Sequence, residues 1–271
     1  MQVERPAPPA SPQPSWDPIQ YSRFAGERAQ PFRDLVARVE LVDARSIVDL
    51  GCGPGLLTAE LAARWPAARV VGVDSSPEML AEARRLESGD RLEFVRGDLR
   101  TWEPSGPVDL VVTNAALQWV PRHIEQVERF AAFLAPGGVI ALQVPGNFKE
   151  PAHVLLRDLA ESPRFGGLLG DRLGPWPFSH DPVEYLEALG RAGLVPSAWE
   201  TTYVQLLQGP DAVLGWMKGT ALRPVLTALD PEQAEAFVEE YGSALRRAYP
   251  KRPGGTVLTY RRVFAIGRKR R

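Results

Sequence analysis

The sequence has little of what several classes of protein depend on. Cys52 is its one cysteine among 271 residues, so no internal disulfide can form, and a reducing, cytoplasmic compartment is expected. The three histidines, His123, His153 and His180, show no metal-ligand spacing and are interpreted as surface or capping residues. We therefore expect neither a metal site nor a histidine catalyst.

The chain also lacks a strong net charge and a long apolar run. Lys+Arg number 32 and Asp+Glu 33, and the resulting net charge of -1 leaves no electrostatic footprint for a nucleic acid. No segment approaches the roughly 18 apolar residues of a membrane span, so no membrane partner is expected. Residues 1–15 are rich in proline without a signal-peptide core, and they are predicted to be a disordered extension. The basic residues 268–271 are interpreted as a solvated tail.

What the chain does contain is 44% hydrophobic residues, enough for the core of one large α/β domain. Its clearest unit begins with the short apolar run Ser46–Leu50 and a glycine-rich turn. Leu57, Leu61 and Trp65 then recur at four-residue spacing, as on one face of a helix, and Arg69–Val73 is apolar and β-branched. This order of strand, turn, helix and strand places the turn at the carboxyl end of a parallel sheet, where ligands bind.

The glycine spacing of that turn distinguishes between two nucleotide-like ligands. A dinucleotide turn needs a third glycine where this chain has Leu56, and the pattern G-x-G-x-G follows an acid, Asp49. A carboxylate there repels a pyrophosphate but attracts the ammonium or sulfonium group of S-adenosylmethionine. Asp74 is predicted to accept hydrogen bonds from the ribose hydroxyls. The unit is similar to that of class I S-adenosylmethionine-dependent methyltransferases, so S-adenosylmethionine is the predicted cofactor.

Alternating strands and helices continue through the middle of the chain. Four predicted strand ends present Gly51, Asp74, Asp98 and Asn114 along one edge, with the adenine amino group expected on Asp98. Asp98 and Asn114 could instead be ordinary turn residues. The predicted cofactor-binding residues are Asp49, Gly51, Gly53, Gly55, Asp74, Ser75, Met79, Asp98, Leu99 and Asn114.

The predicted fold is α/β, a Rossmann-like sheet of seven mostly parallel strands flanked by helices. Trp199–Leu206 and Val257–Ile266 are predicted to be the last two strands and to form an antiparallel pair. The methyltransferase domain is expected to cover 16–208 and 251–271, with an N-terminal helical segment over 16–45. The segment 209–250 is predicted to be an inserted helical lid.

The N-terminal segment is one candidate for covering the site. Asp17 can cap a helix on which Tyr21, Phe24 and Arg28 share a face. That face is either a packing face with a surface arginine or part of an active-site lid, and the pattern leaves both open.

The insertion is a second candidate. Its first helix is predicted to carry Trp216, Thr220 and Arg223 on one face and to end at Pro224. Its second helix begins at a capping box that starts with Asp230. A helix pair with tryptophan and arginine on one face suits a flat or anionic substrate.

Longer motifs make the resemblance more specific. They are W-D-P-x-x-Y-x-x-F-x-x-x-R-x-x-P-x-x-D-L from Trp16, N-A-A-L-Q-W-V-P from Asn114, Q-V-P-G-N-F from Gln143, W-E-T-T-Y from Trp199 and G-T-A-L-R-P-V from Gly219. From about Trp16 to Ile266 the chain resembles the trans-aconitate 2-methyltransferase family. The resemblance implies methyl transfer from S-adenosylmethionine to a carboxylate of trans-aconitate, giving the monomethyl ester and S-adenosylhomocysteine.

A carboxylate acceptor simplifies the expected chemistry. With a pKa near 4 it is already ionised at neutral pH, so we predict no general base and no catalytic residue. The enzyme must align an oxygen with the methyl group and exclude water, while arginine and tyrosine donors hold the carboxylates that do not react. The predicted substrate-binding residues are Tyr21, Arg28, Trp119, Tyr203, Trp216, Thr220, Arg223 and Tyr260.

Three other functions stay open on the sequence. The acceptor could be another small carboxylic acid. The chain could be an O- or N-methyltransferase acting on a different small molecule, which would require a base near the acceptor. It could also bind S-adenosylmethionine without catalysis, although the intact glycine turn and the lid with tryptophan and arginine argue against that.

Overall fold

The computed structural model describes residues 25–271. The predictions for the proline-rich extension 1–15, the Asp17 cap, Tyr21 and Phe24 lie outside the described residues.

The first part of the described chain contains helices and strands, with an α-helix before every strand except the fourth. These are α1 (Ala25–Ala37), β1 (Ser46–Leu50), α2 (Leu56–Arg64), β2 (Arg69–Asp74), α3 (Pro77–Ala83), β3 (Leu92–Arg96), β4 (Val108–Asn114), α4 (His123–Ala132) and β5 (Leu134–Pro145). The remainder contains α5 (Pro151–Ala160), α6 (Gly166–Leu169), α7 (Pro182–Arg191), β6 (Val195–Leu207), α8 (Ala212–Lys218), α9 (Arg223–Ala228), α10 (Pro231–Ala248) and β7 (Thr256–Arg268).

The strands form one seven-stranded sheet in the order β3-β2-β1-β4-β5-β7-β6. Strands β1 to β5 are parallel to one another, and β7 pairs antiparallel with both β5 and β6. This confirms the predicted fold class. The direction of winding reverses between β1 and β4, which is where ligands bind in open α/β sheets, outside the carboxyl ends of the strands.

Each face of the sheet carries its own apolar layer, because successive side chains of a strand point to opposite faces. Val112 and Ala141 belong to the layer covered by α1 and α2. Val111 and Ile140 belong to the layer covered by α4 and α7. A third apolar cluster, centred on Trp216, joins α5 and the helices between β6 and β7 to the first residues of β7. The face beneath α1 and α2 is called the α1 face below.

The insertion between β6 and β7 differs from its prediction in one respect. The capping box of α10 is present, with Asp230 and Gln233 exchanging hydrogen bonds as expected. Trp216, Thr220 and Arg223, however, do not share one helix, because α8 ends at Lys218 and Arg223 begins α9. Pro224 lies in the first turn of α9, where its missing N–H is tolerated, rather than ending a helix. The predicted helix pair is therefore three helices.

None of the helices within residues 25–271 is long and apolar enough to cross a membrane.

Candidate active site

A cavity of about 800 Å³ lies at the carboxyl ends of β1, β2 and β4. The first turns of α1 border it on one side, and the loop 172–177 and part of α9 border it on another. All of the predicted cofactor residues except Gly55 line it, namely Asp49, Gly51, Gly53, Asp74, Ser75, Met79, Asp98, Leu99 and Asn114. The structure thus brings together residues that are far apart in the sequence.

The glycine turn has the left-handed backbone that its sequence requires. Gly51 has a φ of 84° and Gly53 a φ of 56°, a region that glycine adopts without steric cost. A Cβ on Gly51 would lie 2.3 Å from the Cβ of Ala116. A side chain at that position would therefore displace the loop after β4 that forms the cavity wall.

Gly55 has a different role from the one predicted. It immediately precedes α2, and it is not one of the described residues that line the cavity. A Cβ there would lie 2.7 Å from Cζ of Phe94 and 2.9 Å from the Cβ of Ala83. The glycine is needed for packing against β3 and α3, which corrects its assignment as a cofactor contact.

Asp74 holds the turn as well as facing the cavity. Its Oδ2 accepts a hydrogen bond from Gly53 N at 2.8 Å, and its Oδ1 accepts one from Ser76 N at 2.9 Å. Burial raises the pKa of Asp74, and these backbone donors lower it. Each carboxylate oxygen can accept a second hydrogen bond, so the arrangement suits a pair of ribose hydroxyls.

Asp49 is a buried acid beneath the glycine turn. Only 3% of its surface is exposed, and its Oδ2 accepts a hydrogen bond from Thr58 Oγ1 at 2.7 Å. Burial raises its pKa to about 7, the Thr58 hydroxyl lowers it, and the nearby charge of Asp74 raises it further. A carboxylate in this setting favours a cationic neighbour, because a positive charge restores the electrostatic stabilisation that burial removes.

Asp98 and Asn114 complete the polar edge. Both oxygens of Asp98 accept from Nε of Arg100, at 3.0 Å each, and this pairing lowers the pKa of Asp98. Asn114 Oδ1 is buried and has no hydrogen-bond partner within residues 25–271. The Asp98 carboxylate would have to accept from a ligand amine and from Arg100 at the same time. The Asn114 oxygen can accept a hydrogen bond from a ligand amine.

Two of the predicted substrate residues, Arg28 and Trp119, line the cavity. Arg28 is 7% exposed, and its Nη2 donates to the backbone oxygen of Trp216 at 3.2 Å. Its guanidinium also lies over the Trp216 ring, 4.9 Å from the centroid, and Tyr260 packs on that ring with centroids 5.1 Å apart. Trp216 and Tyr260 therefore lie behind Arg28 rather than on the cavity surface.

The other predicted substrate residues lie off the cavity wall. The Tyr203 hydroxyl donates to Asp34 Oδ2 at 2.5 Å, so it ties β6 to α1. Thr220 donates to the Trp216 backbone oxygen at 3.2 Å. Arg223 is the first residue of α9, and it is not one of the described residues that line the cavity. The predictions for Thr220 and Arg223 assumed one continuous helix, which the structure divides into α8 and α9.

Several cavity residues were not predicted. The loop from Arg172 to Pro177 and the α9 residues Pro224, Thr227 and Ala228 form part of the wall. The Gly/Pro-rich composition of the loop was a visible signal, but composition alone does not show where a loop folds back. Cys52 also lines the cavity. Burial and then the charges of Asp49 and Asp74 raise the pKa of its thiol, so it is no nucleophile at neutral pH.

No histidine lines the cavity within the described part of the chain. His123 is fully buried, its Nε2 lies 2.7 Å from the Tyr185 hydroxyl, and burial lowers its pKa to about 4. Burial likewise lowers the pKa of His153 to about 4. His180 pairs with Glu184 at 2.7 Å beside a smaller, neighbouring pocket. The prediction of surface positions was wrong for His123 and His153, which are core residues.

The fold and this edge of the sheet define a methyltransferase of the S-adenosylmethionine-dependent class. A family model described as a methyltransferase domain matches residues 47–138. A solved S-adenosylmethionine-dependent methyltransferase from Mesorhizobium loti has the same fold, with a TM-score of 0.53 at 20% identity over 91% of this chain and 100% of that one.

Relatives with similar sequences identify the family within this class. The trans-aconitate 2-methyltransferase of Streptomyces avermitilis is 54% identical, over 94% of this chain and 97% of its own length. That of Mycobacterium tuberculosis is 45% identical, over 93% of this chain and 95% of its own length. The chain belongs to the trans-aconitate 2-methyltransferase family.

Proposed function

We propose that this protein transfers a methyl group from S-adenosylmethionine to a carboxylate of trans-aconitate, giving the monomethyl ester and S-adenosylhomocysteine. The observation that supports this acceptor is the buried guanidinium of Arg28 in the wall of the cavity. A buried arginine is a strong donor to a carboxylate, since its planar fork can make two parallel hydrogen bonds. The 54% identity to a relative of that name supports the same acceptor.

The described residues fit the cofactor. Asp74 is positioned to accept hydrogen bonds from the ribose, and Ser75 and Met79 line the cavity beside it. Asp98 and Leu99 are assigned to the adenine side, and Gly51, Gly53 and Asn114 to the methionine side. Asp49 supplies the negative charge that the cationic part of the cofactor requires.

The chemistry needs alignment rather than proton transfer. When bound, S-adenosylmethionine supplies a methyl group whose bond to sulfur breaks, leaving its electron pair on sulfur, as the carboxylate oxygen forms the new C–O bond. The acceptor carboxylate is already ionised, so no residue must remove a proton. Arg28 and Trp119 are assigned to hold the acceptor, and Tyr21 is a further candidate outside the described residues.

The helices α8 to α10 are proposed to act as a lid over this site. Ala221, Pro224, Thr227 and Ala228 line the cavity, so the insertion forms part of its wall. A cover of this kind excludes water, which would otherwise solvate the carboxylate and weaken its attack. We also expect a cytoplasmic location and no nucleic-acid partner, from the single cysteine and the net charge of -1.

The test is a methyl-transfer assay over a panel of di- and tricarboxylates, with mass spectrometry of the products. A trans-aconitate monomethyl ester formed with the highest kcat/KM of the panel is the expected result. Amines and phenols of similar size serve as a second panel. Transfer to one of those, with no ester from any acid, would replace the proposal with an O- or N-methyltransferase.

A further inference from the structure

A row of polar side chains crosses the α1 face of the sheet at its carboxyl edge. Asp49 on β1, Asn114 on β4 and Gln143 on β5 follow one another in strand order. Asn114 and Gln143 are direct register partners, and Ala115 N donates to Gln143 O at 2.9 Å. On β7, Phe264 faces Gln143 and Arg262 lies two residues further out, on the same face. Adjacent strands are about 4.8 Å apart, so this row spans about 14 Å from β1 to β7.

Gln143 is the residue of this row that needs explanation. Its side chain is 1% exposed, yet neither Nε2 nor Oε1 has a hydrogen-bond partner within residues 25–271. The buried Oδ1 of its register partner, Asn114, is likewise without one in the described chain. Buried polar groups in native proteins are nearly always paired, and an unmade bond is costly. Asn114 lines the cavity, whereas Gln143 and Arg262 are not among the described residues that line it. A ligand that reaches past Asn114 would supply the partners that the Asn114 Oδ1 and the Gln143 carboxamide lack.

Arg262 marks the far end of the row. It is 4% exposed, and its guanidinium lies over the Tyr260 ring, 4.2 Å from the centroid. Tyr260 in turn packs on Trp216, and the guanidinium of Arg28 also lies over the Trp216 ring. Two buried arginines therefore flank one aromatic pair, at the opposite end of the row from the buried acid Asp49. Asp34 lies near this end too, where its Oδ2 accepts from the Tyr203 hydroxyl. The two guanidiniums outnumber this carboxylate, so negative charge on a ligand is favoured here and positive charge is favoured beside Asp49.

We propose that Gln143 and Arg262 form the acceptor end of the active site. The carboxamide of Gln143 donates from Nε2 to the carboxylate that receives the methyl group, and Arg262 with Arg28 binds a carboxylate that does not react. This assignment rests on the proposed function, and it gives Arg262 the role that the sequence had suggested for Arg223. The acceptor class is a polycarboxylate with two acid groups a few ångströms apart.

The row also accounts for where each of the two substrates binds. The cationic part of the cofactor is favoured beside Asp49, and the polyanionic acceptor is favoured beside Arg28 and Arg262. Asn114 and Gln143 lie between these ends, where the methyl group must cross. Neither carboxamide changes charge with pH, so both orient the reacting oxygen without adding a titration to the reaction.

The test compares Gln143→Met and Arg262→Lys with the wild type, using the carboxylate that the wild type methylates best. Loss of a hydrogen bond to a charged group is worth about tenfold to hundredfold, and kcat/KM for the acid should fall by that factor in each variant. Affinity for S-adenosylhomocysteine, measured by calorimetry, should stay within about threefold. Gln143→Met should keep the wild-type Tm or exceed it, because it removes two unsatisfied polar atoms.

Two matched variants serve as controls. Gln205 also has a buried side-chain oxygen without a partner in the described chain, but it lies on the outer strand β6, so Gln205→Met should leave kcat/KM unchanged. Arg268 lies on the same strand as Arg262 at the other end of the sheet, so Arg268→Met should behave likewise. Arg262→Lys should also cost more on a tricarboxylate than on fumarate, which has one carboxylate fewer.

The outcomes separate this inference from the function on which it rests. A wild-type enzyme that methylates no carboxylate overturns both. A wild type that methylates the acid while Gln143→Met retains kcat/KM within about twofold overturns the inference alone. So does a Gln143→Met variant whose activity, Tm and cofactor affinity fall together, because that pattern belongs to a structural residue.

Discussion

The raised pKa of Asp49 predicts that cofactor binding releases a proton. In the free enzyme its carboxyl has a pKa of about 7, so near pH 6 most molecules carry a proton there. A cation bound beside Asp49 favours the ionised form and lowers this pKa. Binding must then become tighter as pH rises toward 7 and level off above it. Sulfonium and ammonium groups are both candidates for the cation.

The size of the effect follows from Coulomb's law. A unit charge about 5 Å away, in an effective dielectric of about 20, interacts by about 3 kcal/mol. Since about 1.36 kcal/mol corresponds to one pKa unit, the pKa in the complex should fall to about 5. Between these two values the affinity should rise about tenfold per pH unit, and thus about hundredfold in all. The α-amino group of the ligand has a pKa of about 7.7, so its own titration begins only near pH 7, above most of the range in which Asp49 titrates.

Calorimetry at pH 5 to 7.5 measures the linkage directly. Titrations in two buffers of different ionisation enthalpy give the number of protons released. S-adenosylhomocysteine has the ammonium group without the sulfonium charge, so comparing the two ligands identifies the cation. A rise in affinity for both ligands assigns Asp49 to the ammonium, and a rise for S-adenosylmethionine alone assigns it to the sulfonium.

Two variants test the residue itself. Asp49→Asn should remove the pH dependence and weaken binding at pH 7.5 by about a hundredfold, from the same 3 kcal/mol. Thr58→Val removes the hydroxyl that lowers the pKa of Asp49, so the midpoint should move above 7. Wild-type affinity that is constant from pH 5 to 7.5, or a pH dependence that survives in Asp49→Asn, would refute the reasoning.

Three further predictions follow from the same edge of the sheet. Asp74→Ala should weaken S-adenosylhomocysteine binding by about a hundredfold or more. It should also lower the Tm, because Gly53 N and Ser76 N lose their acceptor. With the wild type, NAD should give no calorimetric binding signal. The kcat should be constant from about pH 6.5 to 8.5. Replacing His123, His153 or His180 by Gln should lower kcat by less than about tenfold. A steep pH dependence that one of these substitutions abolishes would contradict a mechanism without a general base. Gly55→Ala should lower the free energy of unfolding by about 2–4 kcal/mol, because the new Cβ would clash with Phe94. Gly53→Ala has open space around its Cβ, so it should lower the free energy of unfolding by only about 1 kcal/mol and should instead weaken cofactor binding. Equal losses of Tm in the two variants would contradict this difference.

The cofactor half of the site could be predicted because it follows the chain. Strands β1 to β4 each end in a polar residue or are followed directly by a glycine, and the carboxyl ends of parallel strands meet at one edge. Asp49, Asp74 and Asn114 could therefore be located from local pattern alone. The exception, Gly55, has the same positive φ as its neighbours, so sequence could not separate a packing glycine from a ligand-binding one.

The acceptor half could not be predicted in the same way. It combines Arg28 from α1, Gln143 from β5 and Arg262 from β7, and nothing local connects them. Gln143 and Arg262 lie on neighbouring strands because β7 inserts between β5 and β6, a pairing that periodicity does not reveal. Helical spacing had selected Arg223, but the helix that carries Trp216 ends at Lys218 with Gly219 as its C-cap, and Arg223 begins the next helix.

The antiparallel placement of β7 gives the site its chemical direction. A sixth parallel strand beside β5 would offer another carboxyl end, and with it another glycine or acid of the kind found on β1 and β2. An antiparallel strand instead brings the middle of its own run to that edge, and here the run contains Arg262. On the α1 face, the row therefore begins with the carboxylate of Asp49 on β1 and ends with the guanidinium of Arg262 on β7. In the proposed arrangement, the cationic methyl donor binds beside Asp49, the polyanionic acceptor binds beside Arg262, and the carboxamides of Asn114 and Gln143 lie between them.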